Sequence, residues 1–238
     1  MVISAQSTDY QTMNRMVRES DETEILINDC FGERFIGAAA QNKSFVINGT
    51  PGNALGCYLD GASIVVNGNA QDAVGDTMND GKIVINGSAG DALGYAMRGG
   101  EIFVKGDSGY RTGIHMKQYA DKRPVIVVGG KVGSFCGEYL AGGMIIILGI
   151  GYDTVPLGNF TGTGMHGGKI FIRSKEEPQN LPKQVLVNKA CESDFNDIQY
   201  YLSEYKELFG DKTEFSVEDF YVCTPNAANP YRTLYATN

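Results

Sequence analysis

A repeat of 19 residues between Phe45 and Gly106 constrains this chain more than any other feature. Three successive copies read FVINGTPGNALGCYLDGAS, IVVNGNAQDAVGDTMNDGK and IVINGSAGDALGYAMRGGE. Two glycine columns keep this step without insertion: Gly49, Gly68, Gly87 and Gly106, and then Gly56, Gly75, Gly94 and Gly113. Self-similarity at a period of about 20 residues is typical of stacked units, each of which contacts only its neighbours. The sequence therefore predicts a solenoid.

Each unit contains one short apolar run, and the series continues beyond the regular repeat. The runs are residues 45–47, 64–66, 83–85, 102–104, 125–127, 145–147 and 170–172. Parallel strands that are buried on both faces show such continuous apolar runs. We expect one face of these strands to line the interior of the coil. The terminal segments or another subunit, a second copy included, must then cover the other face.

Two further columns of the repeat have structural explanations. Asn28, Asn48, Asn67 and Asn86 share one place in successive units, and Leu59, Met78, Met97 and Met116 share another. Amides stacked in register hydrogen-bond from unit to unit, and asparagine also favours the turn that Asn-Gly signals. Thioethers without His or Cys partners bind only soft metals. We therefore expect the methionine column to pack in the core.

The segments that flank the repeat predict three parts: an N-terminal helical cap (1–23), a glycine-repeat β-helix domain (24–174), and a linker, helix and docking tail (175–238). Residues 7–19 are predicted to form a short amphipathic helix that Ser7 or Thr8 caps. A second helix is predicted to be capped by Ser193 at its start and to end at Gly210. The aromatic residues of the irregular stretch 220–238 suit a tail that docks on a partner or folds back on its own body.

Composition and charge exclude several classes of function. The formal net charge of −8 argues against binding to nucleic acid or to an anionic membrane surface. The longest apolar run, residues 144–148, is far shorter than a membrane span, and no signal peptide is recognisable, which indicates a cytoplasmic protein. The five cysteines form no CxxC pair and only two histidines are present, so we expect no metal site on this chain.

Insertions loosen the 19-residue frame after Gly106, at residues 107–124, 129–144 and 150–169. Insertions in repeat proteins collect where the surface binds something. The predicted interface residues are Tyr110, Arg111, His115, Lys117, Glu138 and Tyr139. The alternative is that these are solvated loop residues. No nucleophile–base pair or convergent pair of carboxylates is apparent, so no catalytic or cofactor-binding residue is predicted.

The glycine columns resemble those of a known family. The spacing G-x-x-G-x-x-x-G occurs at Gly49, Gly52 and Gly56 and again at Gly87, Gly90 and Gly94. It is similar to the C-terminal glycine-repeat domain of the glutamate synthase large subunit, and a related repeat occurs in one of the subunits of formylmethanofuran dehydrogenase. GSFCGEYLAGG, residues 133–143, resembles the glutamate synthase segment GDHGCEYMTGG, and GDSGYR, residues 106–111, resembles its GxAGERF. A specific role of the family's histidine is not carried over, because Ser134 and Phe135 stand where the family has Asp-His.

This resemblance implies a right-handed, single-stranded parallel β-helix without catalytic residues. The expected fold is therefore all-β, with a short N-terminal helix and a helical C-terminal extension. In glutamate synthase the corresponding domain lies between a glutaminase domain and a flavin-containing synthase domain, holds both in place and helps to frame the route for ammonia. The implied partners are a glutaminase-type subunit and a synthase subunit that carries FMN and an iron–sulfur cluster. The chain itself would be a structural component of an oxidoreductase complex for glutamate biosynthesis and nitrogen metabolism.

Other interpretations of the sequence remain open. Within the same scaffold class, the chain resembles the glycine-repeat subunit of formylmethanofuran dehydrogenase or a subunit of N-methylglutamate synthase. In another class, it would be an independent β-helix enzyme such as a hexapeptide acyltransferase or a polysaccharide lyase. The acyltransferase needs apolar residues at every sixth position, and the lyase is expected to stack acids or bases along one face. The 19-residue frame shows neither pattern.

Overall fold

The computed structural model of the chain describes residues 1–226, and these form one sheet of 11 strands with two α-helices. The strands are β1 (Val2–Ser4), β2 (Glu24–Phe31), β3 (Ser44–Thr50), β4 (Asp60–Asn67), β5 (Asp80–Ile85), β6 (Glu101–Val104), β7 (Val125–Val128), β8 (Ala141–Ile147), β9 (Gly167–Arg173), β10 (Val185–Lys189) and β11 (Phe220–Pro225). The helices are α1 (Tyr10–Glu19) and α2 (Glu192–Phe209), and short 3-10 helices span Ala5–Ser7 and Val217–Asp219.

The sheet is mostly parallel. Strands β1 to β9 lie side by side in chain order, and each pairs in parallel with the next. Strand β11 then adds antiparallel to β9, and β10 adds antiparallel to β11 at the edge. Residues 220–225, which the sequence placed in an irregular tail, are therefore a strand. The rest of that predicted tail, residues 227–238, lies outside the described residues.

The predicted all-β, right-handed, single-stranded parallel β-helix is wrong. The structure is a single mixed sheet with two α-helices, closer to an α/β arrangement. Each repeat unit contributes one strand and then returns through turns in which single residues have left-handed backbone angles, such as Ala73 (φ 59°) and Gly75 (φ 67°). Left-handed residues interrupt an extended strand. Neighbouring return segments are therefore joined by single backbone hydrogen bonds and by isolated bridges, such as Ala70 to Ala89, and not by continuous strand pairing.

The main core lies between the sheet and these return turns. Inward strand residues such as Ile83 and Ile102 are fully buried there. Gly75 allows the turn to approach them closely, because a Cβ at this position would lie 2.5 Å from Ile102 Cδ1. The predicted core column of Leu59, Met78, Met97 and Met116 is also fully buried, so its interpretation as packing is confirmed.

Helix α2 covers half of the outward face of the sheet. The outward residues in register from β5 to β9 are Val84, Phe103, Val127, Ile146 and Phe171, and all are buried. From the helix, Ile198, Leu202 and Tyr205 pack in the same cluster as four of these, Phe103, Val127, Ile146 and Phe171. The cover for these strands is thus the chain's own C-terminal helix. Its N-cap is Cys191 rather than the predicted Ser193, and it ends as predicted at Gly210, which is left-handed (φ 63°).

The outward face from β1 to β4 has no such cover among the described residues. Its single apolar column, Val2, Leu26, Val46 and Val65, is exposed or half-buried. Polar columns border it on both sides. One is the predicted asparagine ladder, which is confirmed: the Nδ2 atoms of Asn48, Asn67 and Asn86 each donate to the preceding asparagine Oδ1, at 2.8, 2.8 and 3.2 Å.

Helix α1 closes the end of the core beside β1. Met13 and Val17 are buried in the same cluster as Ile3 of β1. The helix lies within the predicted range, but its cap is Asp9, whose Oδ1 accepts a hydrogen bond from the Thr12 N–H at 2.9 Å. Within residues 1–226, no helix has the length and apolar character needed to cross a membrane. The predicted division into three parts stays a prediction.

Candidate functional site

The turns that follow β5 to β8 carry a cluster of aromatic and charged side chains, which we name the turn-face patch. It consists of Tyr95, Tyr110, Arg111, His115, Phe135, Glu138, Tyr139 and Phe160. Tyr110 directly precedes Arg111 on the turn after β6, and 53% of its surface is accessible. Phe160, on the last of these turns, is also exposed. The patch therefore presents aromatic rings to solvent.

Backbone hydrogen bonds between neighbouring turns fix the spacing of the patch. The N–H groups of Arg111 and His115 donate to the carbonyls of Ser134 and Glu138, both at 2.9 Å. The N–H of Tyr139 likewise donates to Thr163 O at 2.8 Å. Each turn is thereby tied to the following one. The side chains in equivalent positions are held in register across the turns.

Five residues of the patch have left-handed backbone angles: Arg111, His115, Phe135, Tyr139 and Phe160, with φ between 53° and 63°. Side chains other than glycine, asparagine and aspartate rarely adopt this conformation, which costs about 1–3 kcal/mol. In the earlier units the position of Arg111 is held by alanines, for example Ala92 (φ 56°). At this position of the repeat, large side chains are therefore found from residue 111 onward. The one earlier exception is Phe35 in the first unit.

The rings form two rows that cross the turns. In the first row the Phe135 and Phe160 rings stack with centroids 5.0 Å apart, and the Arg111 guanidinium lies 5.4 Å from the centroid of Phe135. In the second row His115 stacks on Tyr139 at 5.0 Å, and Tyr95 meets His115 edge-on at 6.0 Å. Stacked and edge-on ring pairs contribute about 0.5–1.5 kcal/mol each beyond the area that they bury.

An ion pair links Arg111 of the first row to Glu138, which precedes Tyr139 of the second row. Arg111 Nε donates to Glu138 Oε2 at 3.2 Å. The Arg111 side chain is more than half exposed, whereas that of Glu138 is largely buried. The guanidinium is therefore held between a carboxylate and a ring while one side stays open to solvent. Arginine and aromatic side chains such as tyrosine contribute most of the binding free energy at protein interfaces.

A comparison with protein families identifies the repeat. The model of the GXGXG motif family matches residues 9–224. This chain belongs to the GXGXG motif family. The uncharacterized protein MJ1350 of Methanocaldococcus jannaschii is 42% identical over 220 residues, which cover 88% of this chain and 84% of that protein. The family resemblance that the glycine columns indicated is confirmed.

Side-chain contacts join four of the six predicted interface residues in this GXGXG protein: Arg111 pairs with Glu138, and His115 stacks on Tyr139. Tyr110 is counted in the turn-face patch as the exposed neighbour of Arg111 on the same turn. Lys117 is exposed, and the contact that the structure gives for it is a backbone hydrogen bond to Met97 O at 3.0 Å, so nothing in the described residues joins it to the patch. That these residues bind a partner stays a prediction.

Three patch residues were missed: Tyr95, Phe135 and Phe160. A sequence signal for two of them exists in the GXGXG frame. The stretches GYRTG, GSFCG and GNFTG place Arg111, Phe135 and Phe160 at the centre of three glycine-flanked pentapeptides. Aligning these pentapeptides, instead of counting 19 residues, would have predicted the first row.

The cysteines of this GXGXG protein are packing residues in most cases. Cys30, Cys57, Cys136 and Cys223 are buried and unpaired. Burial raises the pKa of Cys30 and of Cys223 to about 12 and also raises the pKa of Cys136, so these thiols stay protonated at neutral pH. Within residues 1–226, no three side chains of His, Cys, Asp or Glu gather as a metal site.

Proposed function

We propose that this protein is a non-catalytic scaffold subunit of a glutamate synthase-type complex in the cytoplasm. It would position a glutaminase-type subunit against a synthase subunit that carries FMN and an iron–sulfur cluster, in glutamine-dependent glutamate biosynthesis. The observation that carries the proposal is membership of the GXGXG motif family over residues 9–224, because this family is associated with glutamate synthase-type proteins.

The turn-face patch supports a docking role. Its exposed rings, together with the open side of Arg111, have the composition of an interface hot spot. The outward face of β6 to β9, by contrast, is already occupied by α2. A partner therefore finds its largest group of unoccupied aromatic side chains, among the described residues, on the turns. We assign the partner contact to the turn-face patch.

The framework suits a rigid spacer. Parallel strands follow one another at about 4.8 Å, so the nine strands from β1 to β9 extend over about 40 Å. The asparagine ladder restrains this spacing from Asn28 to Asn86, and backbone hydrogen bonds between neighbouring turns restrain it on the other side of the core. In the proposed complex this chain fixes a distance between two active centres and leaves the chemistry to the partners.

The test is co-purification from cells that naturally produce the protein. The tagged protein should bring down a glutaminase-type polypeptide and a flavin-containing polypeptide in fixed ratio. This complex should form glutamate from glutamine and 2-oxoglutarate when an electron donor is supplied. A Tyr110→Ala substitution should weaken the binding of at least one partner about tenfold, the effect of losing about 1.4 kcal/mol.

The matched control is Tyr200→Ala on α2. Tyr200 is 55% exposed, close to the 53% of Tyr110, but it lies on the other side of the sheet. The Tyr200→Ala substitution should leave the complex intact. Recovery of neither partner with the unsubstituted protein, or glutamate formation by the purified chain alone, would refute the scaffold role. If Tyr110→Ala and Tyr200→Ala weaken partner binding equally, the assignment of the contact to the patch is refuted.

A further inference from the structure

The two ends of the sheet are closed differently. At the first end, α1 packs beside β1, and Met13 and Val17 complete the core there. At the far end lies β10, which neither helix covers, because α1 is at the opposite end and α2 lies on the outward face. Leu181 and Val187 pack against the core at this end and are only partly buried. Terminal units of repeat proteins need a cap, because they otherwise expose apolar surface and unpaired backbone. Within the described residues, the end at β10 has none.

The hydrogen bonds of β10 show which of its backbone groups point away from the sheet. Both Gln184 and Ala190 bond through the backbone to the β11 side. Residues of a paired strand alternate in the side to which their N–H and C=O groups point. The groups of the even-numbered residues therefore point to β11, and those of Val185, Val187 and Lys189 point away from it.

Most of these outward groups have no partner among the described residues. Val185 N–H is already used, because it donates to Pro182 O at 2.9 Å. No bond is formed there by Val185 O or by the backbone groups of Val187 and Lys189. Natural edge strands are usually short or protected by proline and charge. The edge strand β1 has only three residues, whereas β10 has five, no proline and a single charge at its end. Strand β10 is therefore open to pairing.

A second copy of β10 satisfies these groups when it lies antiparallel across a two-fold axis at Val187. In this register Val187 faces its own copy and exchanges two backbone hydrogen bonds with it. Each Lys189 N–H also donates to Val185 O of the other chain, which adds two more bonds. A register shifted by one residue is excluded, because it would use groups that already point to β11. A shift by two residues shortens the overlap of the five-residue strands.

The charges beside the edge favour a second copy over an unrelated strand. In the same register Lys183 comes opposite Cys191, next to Glu192 at the start of α2 of the other chain. The side chains of Lys183 and Glu192 are both exposed. A two-fold axis forms this pair of opposite charges twice. The pairing thus brings together complementary charges, although the whole chain has a formal charge of −8.

We propose that the protein forms a two-fold dimer in which β10 pairs antiparallel with β10 of a second copy. The two sheets then join end to end into one sheet of 22 strands, twice the 11 of one chain. Each copy caps the open end of the other and covers Leu181 and Val187. The dimer needs neither partner of the proposed complex, and it carries two turn-face patches.

The first test measures the mass of the purified chain by sedimentation over a dilution series, without any partner, so its outcome does not depend on the proposed function. We expect a species of twice 25.7 kDa that dissociates on dilution. Val187→Pro removes an N–H that points away from β11, so the chain's own strand pairing stays intact while the dimer is lost. The matched control is Val2→Pro on the other edge strand. Val2 also points outward, because Met1 O accepts the bond from Leu26 N–H, and this variant should stay dimeric.

The second test determines the register by disulfide formation and does not require the proline variant to fold. Leu186→Cys and Asn188→Cys are made separately in a Cys191→Ser background, which removes the exposed cysteine. Residues 186 and 188 face each other across the proposed axis with Cα atoms about 4.5–5.5 Å apart, within reach of a disulfide. Two copies of residue 186 lie about 8 Å apart, too far for one. Mild oxidation should therefore link the mixed proteins, and neither protein alone.

Four results would overturn the proposal. The first is a single mass of 25.7 kDa at every concentration. If the amides of Val187 and Lys189 are then protected from hydrogen exchange, another part of the same chain covers the edge. The second is a dimer that survives Val187→Pro, and the third is a dimer that Val2→Pro abolishes equally. The fourth is oxidation that links Leu186→Cys to itself as readily as the mixture, because it excludes the register centred on Val187.

Discussion

His115 stacks on Tyr139 with ring centroids 5.0 Å apart and planes inclined by only 9°. The two residues belong to successive turns, and both have left-handed backbone angles, φ 55° and 53°. The stack exists because the His115 N–H donates to Glu138 O and so places the second turn directly beside the first. In this pair a strained backbone angle and an aromatic ring thus occur at the same residue. Such strain is typical of functional surfaces.

Backbone strain at Arg111 can be measured by comparing two substitutions at that position. Because φ is 60° there, Arg111→Gly should be more stable than Arg111→Ala by about 1 kcal/mol. The neighbouring residue Tyr110 does not have a left-handed angle. At Tyr110 the order should reverse, with Ala more stable than Gly by about 0.5–1 kcal/mol.

The measurement is the free energy of unfolding in urea for the four variants. Both substitutions at Arg111 lose the Glu138 ion pair equally, so their difference reports the backbone alone. If Ala is the more stable choice at both positions, Arg111 carries no strain and the argument from its backbone angle fails.

The asparagine ladder should show a position effect. Asn67 donates to Asn48 and accepts from Asn86, whereas the side-chain bond given for Asn86 is the one to Asn67. Asn67→Ala should therefore cost about 1–2 kcal/mol and Asn86→Ala about half as much, since each bond contributes about 0.5–1 kcal/mol. Chemical denaturation of both variants checks this. Equal costs would show that the ladder does not act through its side-chain bonds.

Much of the parallel sheet could be predicted from the sequence, because each 19-residue unit has a single apolar run at a fixed place. The return segments could not. Their left-handed residues include Ala73 and Thr77, and neither type signals such a backbone by itself. The antiparallel pair of β10 and β11 was also missed. Helix α2 separates these strands in sequence, so their pairing leaves no periodic signal.

The insertions that interrupt the 19-residue frame predicted where candidate interface residues lie, but the geometry of the site came from the structure. The rings that stack across turns are 24 residues apart for His115 and Tyr139 and 25 residues apart for Phe135 and Phe160. A search at 19 residues passes over them. Lys117 was included because it lies within the same insertion, but sequence proximity does not decide which side of a turn a side chain occupies. Register across neighbouring turns decides that.

Close packing at Gly75 predicts a large effect of one methyl group. Gly75 and Gly210 have similar left-handed angles, φ 67° and 63°, but only Gly75 is crowded by Ile102. Gly210→Ala should cost about 1 kcal/mol from the backbone alone. Gly75→Ala adds overpacking of about 1–3 kcal/mol, so it should lower the unfolding free energy by about 2–4 kcal/mol in total.

Thermal or urea unfolding of both glycine variants provides the comparison. If Gly75→Ala and Gly210→Ala lower the unfolding free energy by the same amount, the turn can move away from Ile102 without loss of stability. The close approach between turns and sheet would then not be a constraint on the repeat.

The attachment of α2 to β9 should depend on pH through Asp194 and Lys169. Lys169 Nζ lies 2.8 Å from Asp194 Oδ1, and the carboxyl also accepts from the Cys191 N–H at the start of the helix. Partial burial opposes the charge of Asp194, but the hydrogen bonds from Lys169 and Cys191 hold its pKa below 3.8. Burial likewise opposes the charge of Lys169, while the bonds to Asp194 and Asp197 raise its pKa above 10.5.

The signs of the two shifts define a window of stability. A lowered carboxyl pKa stabilises the fold above the unfolded value near 3.8, and this stabilisation is lost as the pH falls through the folded pKa. A raised lysine pKa stabilises it below 10.5, and this contribution is lost as the pH rises through the folded pKa. Asp194→Asn should therefore cost about 1–2 kcal/mol at pH 7, and its difference from the unsubstituted protein should shrink toward pH 2.

Urea unfolding at pH 7, 4 and 2.5 (about these values, chosen on either side of the carboxyl range) measures that difference. The control is Asp153→Asn, because Asp153 forms an ion pair with Lys175 in which both side chains are almost fully exposed. Exposed pairs of this kind contribute little, so Asp153→Asn should change stability by less than about 0.5 kcal/mol at every pH. If Asp194→Asn costs as little as Asp153→Asn at pH 7, or costs the same at all three pH values, the ion pair does not hold α2 on the sheet. The apolar contacts of Ile198 and Leu202 would then account for its attachment.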